Sequence, residues 1–424
     1  MSSRTRLALR ALLCAAAAGL PFTAPAAGLG YAEAMALARD GAPGVRAQRS
    51  SVDGARAALV AADTLPDPRL TVGLDNVPVN GPDRWTTTRD AGTMQRLSLM
   101  QEVPNRAKRE ARVAMGQARV ERERAMLAAT AVMAQRDAAL AWLGTYYAEQ
   151  RRALVADFQR ENRLLQDTLV ARIASPMGAM PADMTMARQE ALMIADRGDT
   201  LAGEVAKARA ELRRWVGERA AEPLAGAPAL PVVDAAALRA RVAEAPELQP
   251  YAPMRAMASA EAAEMDAERR GDWGWEVVLN RRPRYDDMVS LMLTFDLPWQ
   301  AGRRQQPLAD EKRRAADRIE AEREELARRL AAEVDAMLAE LAAMDAMHAR
   351  LAGTGTQLAA ERVALLTAGY QAGRNDLGAV LAARTQAVET RMKVIELEGQ
   401  RAAMRVRLAA MVGALGQDAT GVTP

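Results

Sequence analysis

The chain has 424 residues, and its 57 Lys and Arg nearly balance its 54 Asp and Glu, for a net charge of +3. This length allows a large core or two domains, and the near-neutral balance gives no reason to expect a nucleic-acid partner. The sequence is rich in Ala, Leu, Glu and Arg, a composition that is typical of long helices.

Residues 1–26 have the pattern of a secretory signal peptide. A basic start is followed by an apolar segment at 12–20 and by small residues at 24–26. The apolar segment is too short to span a bilayer. Cys14, the only cysteine, lies inside this segment. A lipid anchor on Cys14 is the alternative interpretation, and the mature chain is expected to contain no disulfide and no thiol chemistry.

The rest of the sequence repeats one succession of elements. Val103-Pro104 and Leu297-Pro298 each close an alternating segment, whereas Trp215-Val216-Gly217 and Met411-Val412-Gly413 each close a helical one. A period of about 195 residues is too long for a solenoid repeat, so it indicates duplication of a half-subunit.

Each half is predicted to contain a helix, a β-hairpin, a very long helix, a tip turn and a returning helix. In the first half, residues 27–217, the elements are expected at about 31–63, 69–103, 105–174, 175–183 and 183–216. A linker at 218–234 follows. In the second half, residues 235–413, they are expected at about 235–270, 273–297, 301–371, 369–378 and 379–412, before a tail at 414–424.

Four segments of the two hairpins alternate apolar and polar residues: 69–79, 94–103, 273–280 and 289–297. Period-two alternation predicts β-strands with one apolar and one polar face. One interpretation is two soluble hairpins that are half buried on a helical body, and the other is the wall of a transmembrane barrel. In a barrel, four residues are expected to face lipid: Leu70, Leu97, Val277 and Leu293. Four others are expected to face the lumen: Asp75, Glu102, Glu276 and Asp296.

A barrel wall of four strands cannot be complete within one chain. A sheet that crosses lipid cannot leave the backbone groups of its edges unpaired. Single-chain bacterial barrels have at least eight strands. If these strands cross a membrane, several copies of the chain must therefore share one barrel.

The stretches 105–174 and 301–371 are predicted to be helices of about 100 Å, far longer than the helices of globular proteins. Their apolar residues recur every three or four positions, which predicts packing in a coiled-coil-like bundle. Turns rich in Gly and Pro end them at 175–183 and 369–378. We interpret both turns as one tip of the molecule.

At these motifs the chain resembles the TolC-type outer-membrane efflux channel family. The second turn carries the similarity to the family's tip motif: Tyr370-Gln371-Ala372-Gly373, Leu377-Gly378-Ala379-Val380-Leu381 and Ala383-Arg384. The first turn matches over 183–188 but is flanked by Pro176 and Pro181. The first hairpin is similar to the heavy-metal, CzcC/CusC-like branch: Asp67-Pro68-Arg69-Leu70, Asn76-Val77-Pro78-Val79 and Gln101-Glu102-Val103-Pro104.

The resemblance implies a mainly α fold with a small transmembrane β portion. Very long helical hairpins would form a periplasmic tunnel, and four strands per chain would join a twelve-stranded barrel shared by a homotrimer. It also implies an outer-membrane location, a periplasmic adaptor, an inner-membrane resistance-nodulation-division pump, contact with outer-membrane lipid, and no cofactor. The implied function is passive conduction of an exported solute, with heavy-metal cations as the solute of this branch.

Two other functions stay open. A periplasmic coiled-coil adaptor, or a structural protein of a secretion or efflux assembly, would also have long helices. An outer-membrane channel for drugs or secreted polypeptides would have the same architecture as a metal channel. An enzyme is not expected, because the sequence has no nucleophile-elbow, zinc-protease or phosphate-loop motif.

Candidate functional residues concentrate in the two turns. Six are expected at the periplasmic gate and in adaptor contacts: Asp183, Gly373, Arg374, Asn375, Asp376 and Leu377. Asp183 and Asp376 would attract cations as a ring of carboxylates, or would cap helices, the role that suits Asp183. Four methionines are weak candidates for a soft-metal site, and otherwise take the place of Leu: Met177, Met180, Met184 and Met186. His348, the only histidine, is expected to be a packing or surface residue.

Overall fold

The computed structural model describes residues 28–173 and 180–415. The predicted signal peptide with Cys14, residues 175–179 of the first turn with Met177, and the end of the tail lie outside the described residues.

Nine helices and six strands make up the described part of the chain. The helices are α1 (Tyr31–Gly41), α2 (Pro43–Ala62), α3 (Arg106–Ile173), α4 (Pro181–Val216), α5 (Ala235–Arg241), α6 (Tyr251–Ala267), α7 (Gln305–Arg350), α8 (Thr356–Gln371) and α9 (Leu377–Met411). The strands are β1 (Leu29–Gly30), β2 (Arg69–Asp75), β3 (Met94–Val103), β4 (Leu224–Ala225), β5 (Trp273–Arg281) and β6 (Met288–Phe295).

The predicted fold class is confirmed: the chain is mainly helical, and its two halves repeat one arrangement. In the first half, hairpin β2–β3 leads into α3, which has 68 residues and is therefore about 100 Å long, and α4 returns along it. In the second half, hairpin β5–β6 leads into α7 and α8, and α9 returns along them. Because α9 also packs on α3, the two helical hairpins form one bundle.

The main core lies midway along this bundle. Trp142 of α3 is fully buried and packs against Tyr31, and its indole N–H donates a hydrogen bond to the carbonyl oxygen of Leu29 at 3.0 Å. The short strands β1 and β4 pair in parallel beside it, which ties the start of the described chain to the linker between the halves. Among the described residues, no helix is both long and apolar enough to cross a membrane.

Both N-terminal helical regions, predicted as continuous, are broken at prolines. Ala42, before Pro43, has an extended backbone that separates α1 from α2. Ala245, before Pro246, is likewise extended and ends a short 3₁₀ segment after α5. The cause is steric, since a proline ring disfavours helical geometry at the preceding residue.

The first strand is shorter than the predicted 69–79 and ends at Asp75. Asn76 adopts a φ of 57°, in the left-handed region that is incompatible with a continuing strand. The side chain of Thr93 stabilises this turn, because its hydroxyl donates to the carbonyl oxygen of Asn76 at 3.0 Å. The predicted 289–297 strand is observed as Met288–Phe295.

The second long helix, predicted as one piece from 301 to 371, begins only at Gln305 and is interrupted. Residues 300–304 form hydrogen-bonded turns. A π-helical segment, Leu351–Gly355, then separates α7 from α8. Gly353 and Gly355 lie in this segment and weaken the α-helical preference. The hydroxyl of Thr356 donates to the carbonyl oxygen of Ala352 at 2.6 Å, which satisfies one of the displaced backbone groups.

Candidate functional site

The two hairpins join in one antiparallel sheet of order β2-β3-β5-β6. Strand β3 of the first half pairs with β5 of the second, so the duplication produces a continuous four-stranded wall. Within the described residues, β2 pairs only with β3 and β6 only with β5. Each edge of the sheet, β2 on one side and β6 on the other, therefore presents a row of backbone N–H and C=O groups that needs another strand.

One face of the sheet is apolar and open. A row crosses all four strands through directly paired positions: Val72, Leu97, Leu279 and Val289. These side chains are 41–75% exposed. The residues predicted to face lipid lie on this same face: Leu70, Leu97, Val277 and Leu293. An exposed apolar surface that runs across a whole sheet indicates an apolar environment or partner.

The opposite face is mostly polar and carries ion pairs. Strand parity places Asp75, Glu102 and Glu276 on this face, and Asp296 follows directly after β6. Arg96 lies among them, with its guanidinium 2.9 Å from a carboxylate oxygen of Glu276 and 3.6 Å from one of Asp75. At the end of the sheet nearest the helices, Arg69 lies 3.4 Å from Glu102.

The sheet is fixed to the helices by a hydrogen-bonded junction. The backbone N–H of Asn105 donates to Asp272 at 2.8 Å, and its side-chain amide donates to the carbonyl oxygen of Ala267 at 3.0 Å. Lys108 of α3 lies 3.0 Å from the other carboxylate oxygen of Asp272. These contacts join the exit of the first hairpin to the entry of the second, so the two hairpins keep a fixed relative position.

Gly271 is needed at this junction. Its φ is 67°, and a Cβ atom there would lie closer to the carbonyl oxygen of Asp296 than van der Waals radii allow. Only glycine meets both conditions without strain.

The second turn lies at the opposite end of the bundle, between α8 and α9. Gly373 has a φ of 71°, and the N–H of Arg374 donates back to the carbonyl oxygen of Gly369 at 2.8 Å. Asp376 caps α9, with its carboxylate accepting from the N–H of Ala379 at 2.7 Å. Leu377 is 1% exposed, so it supports the turn from inside the bundle.

Helix capping at the first turn differs from the expectation. The helix begins at Pro181 instead of 183, and Met180 occupies the N-cap position. Asp183 is therefore the third helical residue, where its carboxylate accepts from the N–H of Met180 at 3.1 Å. Proline at the first position, which has no N–H to satisfy, favours this earlier start.

A contact between the two turns was missed by sequence reasoning. The hydroxyl of Tyr370 in α8 donates to the carboxylate of Asp183 in α4 at 3.0 Å. The guanidinium of Arg172 lies 5.0 Å from the centre of the Tyr370 ring. Burial raises the pKa of Tyr370, and the bond to Asp183 raises it further. The phenol therefore stays a proton donor, and we call this contact the tip latch.

A buried polar cluster lies further along the bundle, where α3, α4 and α9 meet. Asn162 donates to the carboxylate of Glu190 at 2.5 Å, and the hydroxyl of Thr385 lies 3.4 Å from its second oxygen. Asn162 and Glu190 are both almost fully buried. Burial raises the pKa of Glu190, although the bond from Asn162 opposes this shift.

The methionine candidates share no common environment. Met184 packs in the cluster of Leu169 and Leu377, whereas Met180 and Met186 are exposed. His348 is half buried, with Nε2 3.2 Å from a carboxylate oxygen of Glu398. Within the described parts of the chain, no three His, Cys, Asp or Glu side chains form a group suited to a metal ion.

No protein-family model matches the sequence, and no curated protein is significantly similar to it. Several solved structures share its fold. CusC superposes with a TM-score of 0.75 at 14% identity, over 90% of this chain and 91% of CusC. VceC from Vibrio cholerae gives 0.73 at 14% identity, over 90% and 96%. The CmeC channel from Campylobacter jejuni gives 0.72 at 10% identity, over 91% and 85%. The chain therefore has the fold of the TolC-type outer-membrane channels.

Proposed function

We propose that this chain is the outer-membrane channel of a tripartite efflux system, which conducts an exported solute passively. The observation that carries the proposal is the four-stranded sheet, with one exposed apolar face and two unpaired edges, at one end of helices about 100 Å long. The apolar face would contact outer-membrane lipid, the polar face would line the lumen, and the helices would extend into the periplasm. Residues 27–217 and 235–413 would be its two structural repeats.

We propose a homotrimer as the functional unit. Joining β2 of one copy to β6 of the next satisfies both edges, and three copies give twelve strands, within the range of known barrels. Exposed apolar residues on the helices, such as Leu192 on α4 and Leu365 on α8, would be covered by the same assembly.

Detergent extraction and conductance measurements test this proposal together. The protein is expected in the outer-membrane fraction, soluble only with detergent, as a trimer that forms ion-conducting pores in planar bilayers. A stable monomer in the soluble periplasmic fraction would refute the proposal and favour the periplasmic adaptor.

We propose that the two turns form the gate and the docking site of a periplasmic adaptor. The tip latch supports a gate, because it joins the turns of the two halves. Arg374, Asn375 and Asp376 lie on the second turn, where a partner can reach them, and Gly373 gives this turn its shape. The adaptor would in turn connect the channel to an inner-membrane resistance-nodulation-division pump. A crosslinker placed at residue 374 in whole cells is expected to capture an adaptor. The same crosslinker placed at residue 285, in the loop between β5 and β6, is not expected to capture one.

We propose heavy-metal cations as the exported solute. The fold does not favour one branch, because CusC and VceC fit it almost equally well. The support is therefore the sequence similarity of the first hairpin to the CzcC/CusC-like branch. A deletion strain is expected to become sensitive to copper, silver, zinc, cobalt or cadmium salts. Sensitivity to organic drugs without any metal phenotype would assign the channel to drug export instead.

A further inference from the structure

The polar face of the sheet has an uneven charge. Five charged side chains lie on it: Arg69, Asp75, Arg96, Glu102 and Glu276. Two are positive and three are negative, so the strand residues of each chain contribute a net charge of −1 to this face, not counting Asp296 directly after β6. The uncompensated carboxylate belongs to the group around Arg96, since Arg69 and Glu102 form a separate pair.

Arg96 is placed to neutralise two carboxylates at once. Its terminal nitrogens lie 2.9 Å from Glu276 and 3.6 Å from Asp75, which come from two different strands, β5 and β2. Its side chain is 32% exposed, compared with 71% for Arg69. Its Nε atom is buried and has no hydrogen-bond partner, so the guanidinium acts through its outer nitrogens alone.

We propose that Arg96 sets the charge selectivity of the barrel lumen by masking Asp75 and Glu276. This inference rests on the proposed function, because it requires the polar face to line a water-filled pore. Fixed charges on the wall of such a pore raise the local concentration of counter-ions and exclude co-ions. With Arg96 in place the pore favours small cations weakly. Without it, two carboxylates in each chain face the solution with no cationic partner.

Reversal potentials across a planar bilayer with a potassium chloride gradient measure this directly. The Arg96→Gln trimer is expected to shift the reversal potential towards the potassium equilibrium potential. The Arg96→Gln/Glu276→Gln double variant has the wild-type net charge. Its reversal potential is expected to lie close to that of the wild type. Arg96→Lys keeps the charge and is expected to stay near wild type.

Arg69→Gln is the matched control, because it changes the net charge equally but exposes only Glu102, at the more open position. Its shift is expected to be smaller than that of Arg96→Gln. Block by hexaamminecobalt(III), added on the barrel side of the bilayer, gives a second readout. Arg96→Gln is expected to lower the concentration of hexaamminecobalt(III) that blocks the pore, and to lower it more for addition on the barrel side than for addition on the tip side.

Two results would overturn the inference. Pores of Arg96→Gln with the wild-type reversal potential would show that this face does not determine selectivity. Equal shifts for Arg96→Gln and Arg69→Gln would show that only the total charge matters. If the wild-type protein forms no pore at all, the proposed function fails first, so the two failures are distinguishable.

Discussion

Replacing Tyr370 with Phe removes the hydroxyl that joins the two turns at the tip. The substitution leaves the ring in place, so the contact with Arg172 at 5.0 Å is kept. Among the described residues, the one hydrogen bond lost is that from Tyr370 to Asp183 at 3.0 Å. If this bond holds the tip closed, its loss is expected to favour the open state of the channel.

The size of the effect follows from the exposure of the two partners. A hydrogen bond to a charged group contributes about 1.5–3 kcal/mol when it is buried. Tyr370 and Asp183 are both partly exposed, so solvent screening reduces the expected value to about 1 kcal/mol per chain. A trimer that opens all three latches together would lose about 3 kcal/mol, which changes the closed-to-open ratio by roughly 100-fold.

Single-channel recording of purified trimers in planar bilayers measures the open fraction. Tyr370→Phe is expected to spend a larger fraction of time in the high-conductance state than wild type. Tyr285→Phe is a matched control, because Tyr285 lies in the loop between β5 and β6, at the far end of the molecule. It removes the same hydroxyl group and is expected to behave as wild type.

An open fraction equal to that of wild type, in a Tyr370→Phe trimer of normal stability, would refute the role of the latch. A similar increase in Tyr285→Phe would show that the recording responds to general loosening instead.

Three further substitutions test the junction, the buried cluster and the packing of the second turn. Gly271→Ala is expected to reduce the yield of assembled trimer on native gels, because its Cβ would overlap Asp296, whereas Gly54→Ala on an open helix face is expected to assemble normally. Burial raises the pKa of Glu190, so its contribution to stability is complete below the ordinary Glu pKa of 4.5 and is lost as pH rises through the folded-state pKa. Glu190→Gln is therefore expected to flatten the fall in Tm as pH rises above 4.5, and an unchanged slope would contradict the assignment. Leu377→Ala is expected to cost about 2–5 kcal/mol of stability, seen as a lower Tm, because this side chain is 1% exposed.

Local patterns predicted most of the architecture. The alternation of Leu97 and Leu99 with Arg96 and Ser98 predicted β3 with its observed ends. The long proline-free stretch after Pro104 predicted the start of α3 to within one residue, and the helix continues to Ile173, the last residue of the first described range. These elements follow from side-chain periods of two in a strand and 3.6 in a helix, and a short window of sequence is enough to show either period.

The contacts of the candidate site depend on residues that are far apart in sequence. Tyr370 and Asp183 are separated by 187 positions, and Arg96 and Glu276 by 180. The periodicity of a sequence cannot show which of such distant residues meet. The alternation along β3 does place Arg96 on the same face as Glu102. The break at Asn76 was missed for another reason, because a positive φ at a single residue leaves no periodic signal.

The π-helical segment at Leu351–Gly355 has a consequence for how sequences of this kind vary in length. A π-helical turn holds about one residue more than an α-helical turn, so it accommodates one residue inserted in an α-helix. Because the wider turn absorbs the extra residue, deleting one residue here would restore a regular helix and leave Tyr370 at nearly the same rotation about the helix axis. Chains of this fold can therefore differ by one residue in this helix and still keep the two turns in contact.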